Sequence, residues 1–190
     1  MPQGVPNRPV GSVSIASMLT PGEAVAELTR GHRELHALLA GIPVDDLEEP
    51  GTIGGGEWSA KDLVGHLTSW EEIALRTLDQ WRAGSRPTIA DTIAAGGTDQ
   101  LNADEVARTS ARPVAEVLRR SDATHRELSG ALGAIPQAEW DAEATFEPHR
   151  PNETLGSFLG GVLGSDAGPF LHHLAHQRDL RAFASVRAPG

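Results

Sequence analysis

Apolar residues recur every three or four positions in four blocks of the chain. No run alternates with the period of two that a half-buried strand requires. In the first block, roughly 21–40, Val25, Leu28, His32, Leu35 and Leu39 share one face. Thr20 stands as its N-cap, Pro21 suits the first turn, and Glu23 completes a capping box. Gly41 and Pro43 stop it. The second block, roughly 59–82, is capped by Ser59 with Asp62 three residues on. Leu63, His66, Leu67, Trp70, Ile73, Thr77 and Trp81 form its inner stripe, and Gly84 and Pro87 end it. The third block is interrupted. A stretch over 98–110 gives way at Pro113 to the run 113–132, with Val114, Val117, Leu118, Ser121, His125, Leu128 and Leu132 inward. A short apolar turn, Leu155, Phe158, Leu159 and Val162, precedes the last block, roughly 169–185, which opens at Pro169. Four amphipathic blocks of this length predict an all-α four-helix bundle.

Between the blocks the chain reads as loop. Residues 1–19 are rich in proline, glycine and serine and lack the basic-then-apolar order of a secretory signal, so a flexible tail is expected there. Residues 20–188 then form a single domain. The segment 42–57 is expected to be a loop. Its glycine-rich GTIGGGE (51–57) lacks both the Gly-Lys-Ser/Thr and the preceding strand of a phosphate loop.

Composition narrows the chemistry. The 16 basic and 26 acidic side chains give a formal charge of −10, which repels phosphate backbones and predicts no nucleic-acid partner. No long uncharged apolar stretch exists, so no membrane span and a cytoplasmic location are expected. The absence of cysteine removes disulfides, thiolate metal sites, iron–sulfur clusters and catalytic thiols together. There is no G-x-S-x-G elbow, and GSD (164–166) reads as a helix start, which argues against a serine hydrolase.

Eight histidines remain as the chemical signal. His172 and His176 are an i, i+4 pair on one face of the last block, close enough to share an ion. His66, on the apolar stripe of the second block, is the candidate third ligand. Three imidazoles leave positions open for water or substrate. Spacing alone leaves the alternatives open: a half-exposed polar patch for His172 and His173, and a hydrogen-bonded core residue for His66. The residue after His172 is His173 rather than Glu, so a zincin is excluded. Trp58 and Trp70 bracket His66 as pocket walls or as core aromatics. Asn102 lies in a helix start beside Asp99, Asp104 and Glu105, either as a pocket residue or among solvated neighbours. Glu71 and Glu72 read as surface charges.

GEWSAKDLVGHLTSWEE (56–72) resembles the second helix of the DinB/YfiT-like superfamily, and HHLAHQRDLRAF (172–183) resembles its last helix. The stretch 99–128, continued by Leu132, Ile135, Pro136 and Trp140, is most similar to the ClbS/DfsB branch, with His173 where that branch has an aromatic residue. The resemblance implies an up-down-down-up bundle with the site at one end and a metal triad of His66, His172 and His176 holding Zn²⁺, Ni²⁺ or Fe²⁺. Trp58, Trp70, Asn102 and His173 would then border the substrate. It implies hydrolysis or detoxification of a small electrophilic molecule. Alternatives are sequestration without catalysis, or transfer to a low-molecular-weight thiol held by residues such as Arg76, Arg82 or Arg178. Val64, Leu75 and Leu78 lie off the inner stripe of the second block. They meet either a homodimer partner or the chain's own 154–163 segment.

Overall fold

Both expected capping boxes form and set where two of the long helices begin. Thr20 and Glu23 exchange bonds at the start of α1 (Pro21–Leu39), and Ser59 and Asp62 do so at the start of α3 (Ala60–Arg82). The computed structural model describes residues 19–51, 53 and 58–187. The first eighteen residues of the expected tail lie outside that set, as does most of the 51–57 glycine segment. Leu19 is anchored: its carbonyl accepts from the Trp140 indole N–H at 2.8 Å.

The interrupted third block is α5 (Thr98–Ser110) and α6 (Val114–Gly133), with Pro113 as the N-cap of α6. The apolar turn is α8 (Leu155–Val162), held by a third capping box between Thr154 and Ser157. The last helix, α9 (His172–Arg187), begins three residues later than expected. Phe170 has a positive φ of 60° and is fully buried, stacked on Trp140, so the chain turns there before the helix starts. Ser165 bridges to Gly168 in that same turn, so GSD is not a helix start. Three short helices, α2 (Val44–Leu47), α4 (Thr88–Ala94) and α7 (Gln137–Trp140), occupy segments read as loop. Each has a proline at its N-cap and is too short to display a 3.6-residue period. Among the described residues there is no sheet, only three isolated bridges.

Four long helices make a closed ring. α1 packs on α6 and α9, and α3 packs on the same two, with α5 and α8 applied to further faces of α3. Leu78 is 2% exposed and Leu75 packs into the same core cluster, on a helix that meets α8. The second apolar face of α3 is therefore covered from within the chain. The core falls into two clusters. One gathers Trp70, Ile73, Leu128, Leu159 and Phe170, and the other gathers Leu35, Leu63, Val64, Leu180 and Phe183. On α3 His66 lies between Val64 of one cluster and Trp70 of the other. In the closing segment His172 and His176 likewise fall between Phe170 and Leu180.

Three carboxylates read as solvated are not. Glu71 faces His125 of α6 at 3.0 Å. Glu72 takes a bidentate pair of 2.7 Å bonds from Arg120 of α6. Glu105 is 2% exposed and accepts from Arg120 at 2.7 Å and from Thr109 at 2.9 Å. The α6 helix lies broadside to α3, so adjacent residues of α3 find partners on it. Arg120 thereby ties α3, α5 and α6 together.

Candidate metal centre

His66 is fixed from below by α3 itself. The Ser59 cap sets the register of the first turn, and the His66 carbonyl accepts from the Ser69 hydroxyl at 2.8 Å. Opposite it, α9 presents His172 and His176 one turn apart. The three ring centroids form a near-equilateral triangle, 5.0 Å from His66 to each of the others and 5.3 Å between those two. The Nε2 atoms of His66 and His172 stand 3.2 Å apart. One ligand nitrogen from each ring lies within 4.8 Å of the other two, so the group could hold a metal ion.

Electrostatics keep these rings uncharged. Burial, and then the neighbouring imidazoles His172 and His176, push His66 far below its ordinary pKa. Burial, then His176 and His173, bring His172 to about 3. Burial lowers His176 as well, against the pull of Asp179. Neutral imidazole is the ligating form, so these rings need lose no proton to bind a cation at neutral pH.

Trp58 and Trp70 flank the triad. The Trp58 ring lies 4.8 Å from His66 and 6.0 Å from His176. Trp70 lies 5.7 Å from His172 and edge-on to His66. Asn102 reaches in from α5: its Oδ1 accepts from the Trp70 indole at 3.2 Å, and its side chain favours the charged form of His66. The buried Nδ1 of His66 has no hydrogen bond of ordinary geometry. Asn102 is the polar side chain placed to supply one.

His173 is set apart from the triad. Its ring lies against α1 directly over Gly31, and its Nε2 is buried without a partner. It lines a cavity of about 40 Å³ together with His172, Glu71 and His32. Arg82 is bonded to Glu139, and no hydrogen bond among the described residues brings Arg76, Arg82 or Arg178 to the triad. A second polar cluster, His32, His36 and Asp122, escaped the sequence reading. Its signal was present in the i, i+4 spacing of its two histidines, identical to that of His172 and His176.

Comparison with known proteins follows the same outline. The family model of the DinB superfamily matches residues 27–165, which include His66 and end before α9. None of the curated proteins matches the chain. An uncharacterised protein from Escherichia coli UTI89 has a similar structure, with a TM-score of 0.67 at 15% identity over 88% of this chain and 94% of that one. A Streptococcus pneumoniae protein gives a TM-score of 0.69 at 11% identity over 91% and 94%. The colibactin self-resistance protein ClbS, in complex with double-stranded DNA, gives 0.61 at 15% identity over 90% and 94%. At these identities the likeness shows the fold alone. A structural neighbour that holds DNA also leaves the exclusion of nucleic acid, drawn from net charge, without support. Because the family match spans well over half of the sequence, and the fold agrees along nearly the whole of it, the chain belongs to the DinB superfamily.

Proposed function

We propose that the protein is a metal-dependent enzyme acting on a small electrophilic molecule, with His66, His172 and His176 holding a divalent cation. The observation that carries this reading is the convergence of three neutral imidazoles from two helices between two indole rings. The spacing fits: ligands about 2.0–2.1 Å from a tetrahedral Zn²⁺ stand roughly 3.3 Å from one another, and the His66–His172 edge of the triad is 3.2 Å. A Zn²⁺, Ni²⁺ or Fe²⁺ ion there would supply Lewis-acid activation of water or of a low-molecular-weight thiol. The chain's own residues do the rest. Trp58 and Trp70 wall the site with apolar surface and keep bulk water from the imidazoles. Asn102, held by the Trp70 indole, is the polar side chain placed to orient His66. The similarity to a colibactin self-resistance protein supports detoxification as the biological setting.

The test is direct. Untagged protein is assayed for metal content and for thermal stability with added Zn²⁺ or Ni²⁺, then incubated with a model alkylating epoxide. Near-stoichiometric metal, a raised melting temperature and metal-dependent conversion of the epoxide support the reading. Metal below about a tenth of an equivalent with no thermal shift, an occupancy too low to stabilise the fold, rejects its metal part.

One observation favours sequestration as a second reading. Among the described residues no carboxylate is hydrogen-bonded to any of the three imidazoles, and Glu71, which lines a cavity with His172, is already engaged by His125. Tryptophan fluorescence separates the two readings. Saturable quenching with the ligand recovered intact supports sequestration, and a converted product supports catalysis.

A further inference from the structure

We propose that the protein carries a second transition-metal site on the outer α1–α6 seam, formed by His32, His36 and Asp122. His32 and His36 stand one turn apart on α1 and both turn their Nε2 atoms toward the same oxygen of Asp122 on α6, at 3.1 and 3.7 Å. These separations straddle the roughly 3.3 Å expected between ligands of one tetrahedral ion, and the three ligand atoms all lie within 4.8 Å of one another. Among the described residues the Asp122 carboxylate has only these imidazoles as partners. A cation between the three would replace one 3.1 Å hydrogen bond and one 3.7 Å contact with three coordinate bonds.

The rings are held in advance of any ion. His32 stacks on His125 with centroids 4.1 Å apart and planes 4° from parallel. His125 is in turn bonded to Glu71 at 3.0 Å and to Ser129 at 3.3 Å. The Ser121 hydroxyl lies 3.4 Å from Nε2 of His36. The stack on His125 orients the His32 ring before any ion arrives, while the Ser121 hydroxyl sits on the His36 nitrogen that a cation would take over. Asp122 is 54% exposed, so an ion can enter from solvent.

Two imidazoles and one carboxylate suit Zn²⁺, Ni²⁺, Co²⁺ or Cu²⁺ and leave coordination positions open. The ligands come from two helices of the ring, so the ion clasps α1 to α6 at a place remote in sequence from the triad. One cavity is lined by His32 of this cluster and by His172 of the triad, together with Glu71, Ser121 and His173.

The experiment is a calorimetric titration of the full-length, untagged, metal-free protein with Ni²⁺, repeated with Cu²⁺ under electron paramagnetic resonance. The wild type is expected to take up two equivalents in two phases. Asp122→Asn, an isosteric change at an exposed position, and His36→Ala should each weaken one phase at least tenfold and leave the other intact. His66→Ala with His176→Ala should abolish only the other phase. Far-UV circular dichroism confirms that each variant folds. Uptake by Asp122→Asn and His36→Ala indistinguishable from wild type overturns the second site. So does a wild type that binds nothing beyond what the His66/His176 variant loses. Should the His66/His176 variant bind as the wild type does while His36→Ala does not, the triad reading fails and the second site stands.

Discussion

The imidazole of His173 lies directly over Gly31: a Cβ placed on Gly31 would come 2.3 Å from two atoms of that ring. The missing side chain of one helix is therefore the seat of a side chain from another, and it sets how closely α9 approaches α1. Gly31→Ala should destabilise the fold by about 1–3 kcal/mol through overpacking. His173→Ala opens the space that the new methyl needs. The double variant should thus be more stable than Gly31→Ala alone, a coupling readable in a urea-denaturation cycle. Additive effects would show that the two residues do not meet.

Asn102 is bonded to Trp70 beside His66, and its loss should be felt in cation binding more than in stability. Outer partners of ligating imidazoles typically change affinity by about 10–100-fold. Asn102→Leu is expected to weaken Zn²⁺ binding at the triad within that range, measured by competition with a chromogenic chelator. Unchanged affinity in a folded Asn102→Leu variant would remove Asn102 from the site.

Arg120 holds Glu72 and the buried Glu105 at once. Arg120→Leu strands a carboxylate in the interior, and breaking a buried pair in this way costs about 3–5 kcal/mol. Arg108 and Thr109 also contact Glu105, so the lower end of that range is expected. Arg120→Leu with Glu105→Leu should recover much of the loss, because the stranded charge is then gone. Urea midpoints of the two variants decide the matter.

The metal-free protein should lose stability on acidification below about pH 6.5, well before its ordinary carboxylates titrate. Burial holds His32 at about 4 and His172 at about 3, and it pushes His66 lower than its ordinary value too. In the unfolded chain each imidazole takes a proton near 6.5, while the folded one refuses it until the pH reaches its depressed value. Between those limits the unfolded state binds more protons. Stability therefore falls by up to about 1.4 kcal/mol per pH unit for each such histidine. Glu71 acts with the opposite sign, since burial raises its carboxyl and that contribution fades as pH rises through the raised value. Denaturation curves between pH 4 and pH 8 with a chelator present should show a net fall toward acid. A flat profile would contradict the burial of these rings.

What the sequence made legible was local. Thr20 with Glu23, and Ser59 with Asp62, lie three residues apart, and their bonds can be read from the spacing that makes them. Pro113 marks the break between α5 and α6 for an equally local reason. The triad was legible in part, because His172 and His176 share a helical face and His66 interrupts an apolar stripe. The ion-pair network was not. Arg120 lies 48 residues from Glu72, and only the docking of α6 against α3 makes them partners. His32 and Asp122 are 90 residues apart, and nothing in either segment names the other. The seat of His173 was not legible either: successive residues of a helix point about 100° apart and reach different neighbours, and only the approach of α9 to α1 brings this ring over Gly31.

The closing helix buries only Leu180 and Phe183, whereas α3 buries residues along almost its entire length. Anchorage that slight lets α9 open by local release while the α1–α3–α6 body stays closed. Two of the three triad imidazoles ride on that loosely held element. A cation gripping them together with His66 would act as a latch, since every opening of α9 would then have to break its coordination. Amide exchange in α9 becomes a gauge of occupancy: fast in the metal-free chain, slowed in proportion to how firmly the ion is held.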